Sequence, residues 1–224
     1  MATSSAASAA NNFSRVATLP NKTPISIRAW VRRNADRGNY SGFAALNKLG
    51  DELMYCGTDV DGETLLAYAG STGGGPTGNT AVSDSLWHHI VYTYDGVDVK
   101  VYVDGSLVYT GATAQDAAAA ISFTLLTTNF GSWWDGDIEA VAVWEQTLDA
   151  AEVLADMSYL EQQMTTDLWA FWPLSTGVDI TDASGNRRDL TIVGTPTTVA
   201  GSGTPYAPPA PGVGDYRGFF ARAY

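Results

Sequence analysis

The sequence predicts an all-β protein: two antiparallel sheets stacked as a sandwich, with one short helix near 149–164 and extended termini. Three observations carry this. From Trp87 to Tyr94 nearly every residue is β-branched or aromatic, types that suit a pleated, half-buried surface. Val97, Val99, Val101 and Val103 then alternate with Asp98, Lys100 and Tyr102, turning one face to a core and the other to water. Asp95-Gly96 and Asp104-Gly105 divide the runs, and Gly there accepts the positive φ of a tight hairpin. Three adjacent antiparallel strands with one apolar face need a second sheet to cover it.

The remaining elements follow in order. Residues 1–12 are small and polar and predict an N-terminal arm without regular structure. Phe13 to Leu19 predicts a first edge strand. Ile25 to Val31 alternates cleanly: Ile25, Ile27, Ala29 and Val31 share one face, while Arg28, Trp30 and Arg32 form a stripe on the other with a cation–π option. Phe43–Leu49, Glu52–Thr58 and Leu65–Ala69 predict three more strands, turned at Gly50-Asp51 and at Asp59-Asp61-Gly62. The glycine-rich stretch 70–80 predicts a loop. It has no Lys and no following helix, so it is not a phosphate cradle. Ile121–Thr127 is a further strand after an Ala-rich connector. Asp149 and Glu152 form a capping box, and Val153, Leu154, Met157, Leu160 and Met164 recur at helical spacing, a stripe that packs on the sandwich.

Several segments resemble laminin-G-like modules of the concanavalin A-like lectin/glucanase superfamily, whose fold is a jelly roll. The stretch WHHIVYTYDGVDVKVYVDG (87–105) is similar to the family's central signature, PISIRAWVR (24–32) to its early strand, and WWDGDIEAVAVWEQTLDAAEV (133–153) to its closing strand. Ala140 stands where the family commonly has an acidic residue and Asp149 where Ser is common. LWAFWPLSTGVDITDASGNRRDLTIVGTP (168–196) resembles the strand–turn–strand that opens the domain in many relatives, here placed at the C-terminal end. Two arrangements fit: strands 168–193 complete the sheet of a sandwich over 13–199, as in a circular permutation, or they begin a truncated second repeat. The resemblance implies a surface that binds glycans or proteins, with calcium in some relatives.

Composition narrows the function. The chain has 224 residues, a hydrophobic content of 45% and a net charge of −12. Nucleic acid and anionic membrane both require a basic surface and are disfavoured as partners. The charge is polarised: residues 1–50 hold seven basic residues against one acidic, a balance of +6, and the remainder −18. The first residues show neither a basic region nor an apolar run and do not read as a signal peptide, and no stretch is long enough to insert in a membrane. Cys56 is the single cysteine, so no intrachain disulfide is available, and its strand setting predicts a buried thiol.

Reactive constellations are sparse, and no catalytic residues are assigned. His88 and His89 are adjacent on one strand and point to opposite faces, so they cannot cooperate in a nucleophilic triad. Asp135, Asp137 and Glu139 alternate and face one way, in the manner of the superfamily's glucanases. The first position is an Asp, however, and no cleft acids or aromatics are evident on neighbouring strands, which leaves a glycoside hydrolase as the minor alternative. Calcium is the one cofactor left open, with Asp59 and Asp61 as the turn carboxylates assigned to it and Asp84, Asp179 and Asp182 as other oxygen donors. Adjacent Trp133 and Trp134, with Asp135, are the glycan-binding candidates: one indole of such a pair points away from the core and offers a flat apolar face to a sugar ring. Residues 200–224 are a Pro/Gly-rich arm bearing Tyr206, Tyr216, Phe219, Phe220 and Tyr224, assigned as an assembly interface.

Together these features predict a non-enzymatic interaction module. The first expectation is a decoration or fibre-associated subunit on a phage or virus-like particle surface, a homo-oligomer or a capsid or fibre partner with some glycan-binding capacity. The alternative is a soluble carbohydrate-binding lectin.

Overall fold

The structure, a computed structural model, describes residues 2–5, 11–34, 39–49, 51–59, 64–69, 76–82, 85–113, 118–128, 132–160, 164–175 and 179–202. In chain order the first strands are β1 Ala2–Ser5, β2 Asn12–Arg15, β3 Ile25–Arg33, β4 Ser41–Lys48, β5 Asp51–Thr58, β6 Thr64–Ala69 and β7 Pro76–Ala81. The meander follows as β8 Trp87–Tyr94, β9 Asp98–Val103 and β10 Ser106–Ala112. Then come β11 Ser122–Leu125, β12 Gly136–Trp144, the helix α1 Ala150–Met157, β13 Leu168–Trp172, β14 Thr191–Val193 and β15 Thr197–Val199.

Among the described residues these strands form two antiparallel sheets. One runs β10-β9-β8-β3-β12-β1-β15, with β13 also paired to β12; the other runs β14-β2-β11-β4-β5-β6-β7. The meander is as the sequence predicts, with Gly96 and Gly105 at positive φ. Alternation sends Ile25, Ile27, Ala29 and Val31 of β3 and Ile90 and Tyr92 of β8 inward against Phe43, Leu46 and Phe123 of the other sheet. Tyr92 also ties the layers together, its hydroxyl donating to the Leu66 and Gly57 carbonyls at 2.9 and 3.2 Å. Cys56 is a buried free thiol, and burial pushes its pKa well up.

The eight-stranded sheet is also covered in part on its outer face. Helix α1 and the segment after it pack on Val91, Tyr102, Ala142, Trp144 and Phe171, covering the outer face of the second half of β12, all of whose residues are buried. The predicted capping box is present: the Asp149 carboxylate accepts from the Ala151 and Glu152 amides at 2.8 Å, and Glu152 accepts from the Asp149 amide at 2.8 Å. Strand β12 changes phase midway. Ala140 adopts φ +51° and its amide donates to Pro173 O at 2.9 Å, so Ile138 and then Val141 and Val143 face the inner core. Before this bulge β12 pairs with β1, and after it with β13, end to end along one flank.

Five local expectations are corrected. Ala2–Ser5 is a strand, because the flank of β12 ahead of the bulge has backbone groups that a partner must satisfy. Pro76–Ala81, expected in a loop, pairs with β6. The first edge strand stops at Arg15, whose guanidinium turns back to Thr18 O and Asp189 O. The helix ends at Met157 rather than near 164, since the Arg28 guanidinium takes the Leu160 and Tyr159 carbonyls at 3.1 and 3.4 Å. Its apolar stripe is also misjudged: Leu154 is 55% exposed, whereas Asp156 is fully buried.

Candidate functional site

Register alone builds the site. On the outer face of the eight-stranded sheet, β8, β3 and β12 lie side by side, and their outward residues form cross-strand rows. Trp87, Arg32 and Asp137 make one row, His89, Trp30 and Glu139 the next, and Val91, Arg28 and Ala142 a third. Helix α1 covers the third row and His89. Towards the other end the face opens, and Trp87 and Trp30 are partly exposed.

In the open row Arg32 is bidentate on Asp137 Oδ2, through Nε at 2.7 Å and an Nη at 2.5 Å. Asn34 donates to the other oxygen at 3.4 Å. The Arg32 guanidinium also lies 5.1 Å from the Trp87 ring centroid, so one cation serves both a carboxylate and an indole. In the next row the Trp30 ring tilts against His89 at 5.3 Å. Glu139 is fully buried, and its Oε1 accepts the Ser202 amide at 2.7 Å. The chain leaving β15 therefore crosses this face.

Beneath the helix is a buried polar triad. Asp156 Oδ2 lies 3.3 Å from Arg28 Nε and 3.4 Å from His89 Nε2, with all three side chains fully buried. Burial lowers the His89 pKa, against the opposing pull of Asp156. At the strand end His88 Nδ1 meets Asp104 at 2.8 Å, and the His89 amide donates to the same carboxylate at 2.9 Å. Burial pushes the Asp104 pKa up, but those two bonds outweigh it and hold the group below its usual value.

The sequence candidates fall as follows. Trp134 is fully buried, edge-on to Phe43 at 5.5 Å and bonded through Nε1 to Arg32 O at 3.2 Å. As a glycan contact it is corrected: its ring fills the core. Trp133 and Asp135 remain partly exposed, and the Asp135 carbonyl accepts the Asn34 amide at 2.9 Å, placing this loop beside the end of β3. Asp59 anchors a turn, its amide donating to Thr64 O at 2.7 Å; Asp61 and Asp84 lie outside the described residues, as do Tyr206, Tyr216, Phe219, Phe220 and Tyr224. Asp182 is occupied by the amides of Phe171, Ser184 and Arg188, and Asp179 accepts from the Ser175 hydroxyl at 3.0 Å. Among the described residues no group of three or more His, Cys, Asp or Glu could hold a metal ion, and no helix is long and apolar enough to cross a membrane.

Two things were missed. The neighbouring strands do carry aromatics beside the acidic strand: Trp30 stands directly opposite Glu139, and Trp87 lies beyond Arg32, opposite Asp137. Both were visible as outward positions of alternating strands, but strand order was needed to bring them to β12. Asp156 was the other, hidden because an acidic residue on a short helix reads as solvated.

Residues 4–154 match a family model described as the concanavalin A-like lectin/glucanases superfamily, of laminin-G type. The chain belongs to this family. No curated protein sequence matches it. Among solved structures it is similar to a proposed carbohydrate-binding protein from Bacteroides ovatus ATCC 8483, with a TM-score of 0.70 at 14% identity over 89% of this chain. The match spans 60% of that protein's length. It is also similar to a heptameric SAP-like pentraxin from Limulus polyphemus (TM-score 0.54, 16% identity, 66% of this chain and 76% of that one). A third is a Trypanosoma rangeli sialidase, bound to 2,3-difluorosialic acid (TM-score 0.50, 17% identity, 61% of this chain and 23% of that one). At these identities the likeness is one of fold.

Proposed function

We propose that the protein is a non-catalytic carbohydrate-binding module whose contact face is the open end of the β8–β3–β12 surface. The observation that carries this is the pair of partly exposed indoles, Trp30 and Trp87, on adjacent strands next to a polar row. A sugar ring presents an apolar face that stacks on an indole and a rim of hydroxyls that needs polar partners. The family membership and the Bacteroides structure support the same class.

Binding rather than hydrolysis is favoured by the state of the two carboxylates. Both Asp137 oxygens are engaged by Arg32 and Asn34, and Glu139 is fully buried with one oxygen held by the Ser202 amide. A glycosidase needs one carboxyl free to donate a proton and another free to attack or to activate water. The particle-surface role drew on the signal-peptide reading, the acidic and polarised charge and the C-terminal aromatics, the last of which lie outside the described residues, so the face whose geometry is described is the one taken forward.

The test is affinity electrophoresis through gels containing laminarin, arabinan, galactomannan or polygalacturonate. Retardation by at least one neutral polysaccharide is expected. Trp87→Ala and Trp30→Ala should each lose most of it while Trp133→Ala keeps it. Retardation lost only in Trp133→Ala would move the site to the 132–136 loop, and product release from any polysaccharide would contradict the non-catalytic assignment.

A further inference from the structure

Glu139 is the charged group of this face that simple stacking leaves idle. Its carboxylate is fully buried, yet Oε2 has no hydrogen-bond partner among the described residues. Directly opposite in the register stands Trp30, whose Nε1 is also buried without a hydrogen-bond partner. Buried polar atoms of this kind are uncommon in folded proteins, and each asks for an explanation. Here a lone acceptor and a lone donor belong to opposed residues, whose Cβ atoms such a pair holds about 5 Å apart. They do not bond to each other. A single hydroxyl reaching both would donate to Oε2 and accept from Nε1.

The second carboxylate oxygen already shows what the site accepts. The Ser202 amide donates to Oε1 at 2.7 Å, the position a second hydroxyl on the neighbouring carbon of a sugar ring would take. Adjacent hydroxyls on one ring match the two oxygens of one carboxylate. An acidic sugar does not fit, because its carboxylate would face Glu139 while Arg32, on the adjacent open row, is already committed to Asp137.

We infer that Glu139 and Trp30 form a diol-reading subsite for a neutral sugar ring, closed in this structure by the Ala200–Ser202 segment, whose amide stands in for one sugar hydroxyl. This rests on the carbohydrate-binding function proposed above and adds its specificity: vicinal hydroxyls, no anionic group, and competition with the chain's own C-terminal segment.

The test uses the full chain and three variants, Ser202→Pro, Glu139→Gln and Trp87→Ala, titrated by calorimetry with oligosaccharides from whichever neutral polysaccharide retards the wild type. Ser202→Pro removes the competing N–H, along with the side-chain hydroxyl and the freedom of φ, and should tighten binding about tenfold, the worth of one hydrogen bond to a charged group. Glu139→Gln turns one acceptor oxygen into a donor and should weaken binding at least tenfold. In the wild type, saturating oligosaccharide should speed hydrogen exchange at the Ser202 amide, a readout that needs no variant to fold. Binding that is lost in Trp87→Ala but unchanged in Ser202→Pro and Glu139→Gln, with Ser202 exchange unmoved, overturns the subsite and leaves the binding function standing. No binding by wild type or Ser202→Pro overturns both.

Discussion

Asp156→Ala should be among the most destabilising single substitutions in the helix. Asp156 lies on the buried side of α1 and meets Arg28 Nε at 3.3 Å and His89 Nε2 at 3.4 Å, with no exposure at any of the three side chains. Alanine leaves the Arg28 guanidinium in place with the Leu160 and Tyr159 carbonyls but without its carboxylate. Removing one member of a buried pair costs about 3–5 kcal/mol, because the surviving charge stays desolvated. In a chain of this size each kcal/mol moves Tm by roughly 2–4 °C, so a drop on the order of 10 °C is expected. Urea unfolding followed by tryptophan fluorescence measures the free energy directly, and a shifted midpoint with an unchanged slope marks a pure stability effect. The double variant Arg28→Met, Asp156→Leu should recover most of the loss, since an apolar replacement of similar volume removes the stranded charge. An Asp156→Ala protein within about 1 kcal/mol of wild type would refute the assignment, because a solvated helix aspartate costs no more than that.

Three further outcomes are expected. Asp149→Ala removes the capping box of the same helix and should cost only about 1 kcal/mol, so the ranking of the two aspartates separates a cap from a buried pair in one urea series. His89 is neutral in the fold because burial lowers its pKa, whereas an unfolded chain protonates it near its ordinary value of about 6.5. Its contribution is therefore complete above that pH and is lost as pH falls below it toward the lower folded value; urea midpoints should drop between pH 7.5 and pH 5.5, and His89→Gln should flatten that slope. Gly136→Ala places a Cβ against the Arg32 carbonyl oxygen and the Trp134 indole, an overpacking worth about 1–3 kcal/mol, and thermal melts should show it along with weakened saccharide retardation, since Arg32 and Asp137 are displaced together.

What the sequence made legible, it did through strict alternation and turn chemistry. Val99, Val101 and Val103 could face only one way, and Asp95-Gly96 and Asp104-Gly105 left few alternatives to a meander. The capping box at Asp149 was equally plain, because its partners are three residues apart. The hidden features depend on contacts distant in sequence. The phase change at Ala140 is invisible in IEAVAVW, where both faces are apolar. Trp133 and Trp134 are indistinguishable until the loop geometry sends one inward onto Phe43. The rows joining Trp87 to Asp137 and Trp30 to Glu139 require β8, β3 and β12 to be neighbours, although β3 and β12 are separated by more than a hundred residues. Asp156 shows the same limit: its partners Arg28 and His89 come from two strands of the meander's sheet, and nothing within the helix announces them.

The indole resonances test the central claim most directly. The chain has seven tryptophans, and each gives one Nε1–H signal in a nitrogen-15 spectrum. Titration with a retarding neutral oligosaccharide should shift the signals of Trp30 and Trp87 and leave those of the buried Trp134, Trp144, Trp169 and Trp172 in place. Shifts confined to Trp133, or spread evenly over the buried indoles, would contradict a saccharide site on the β8–β3–β12 face.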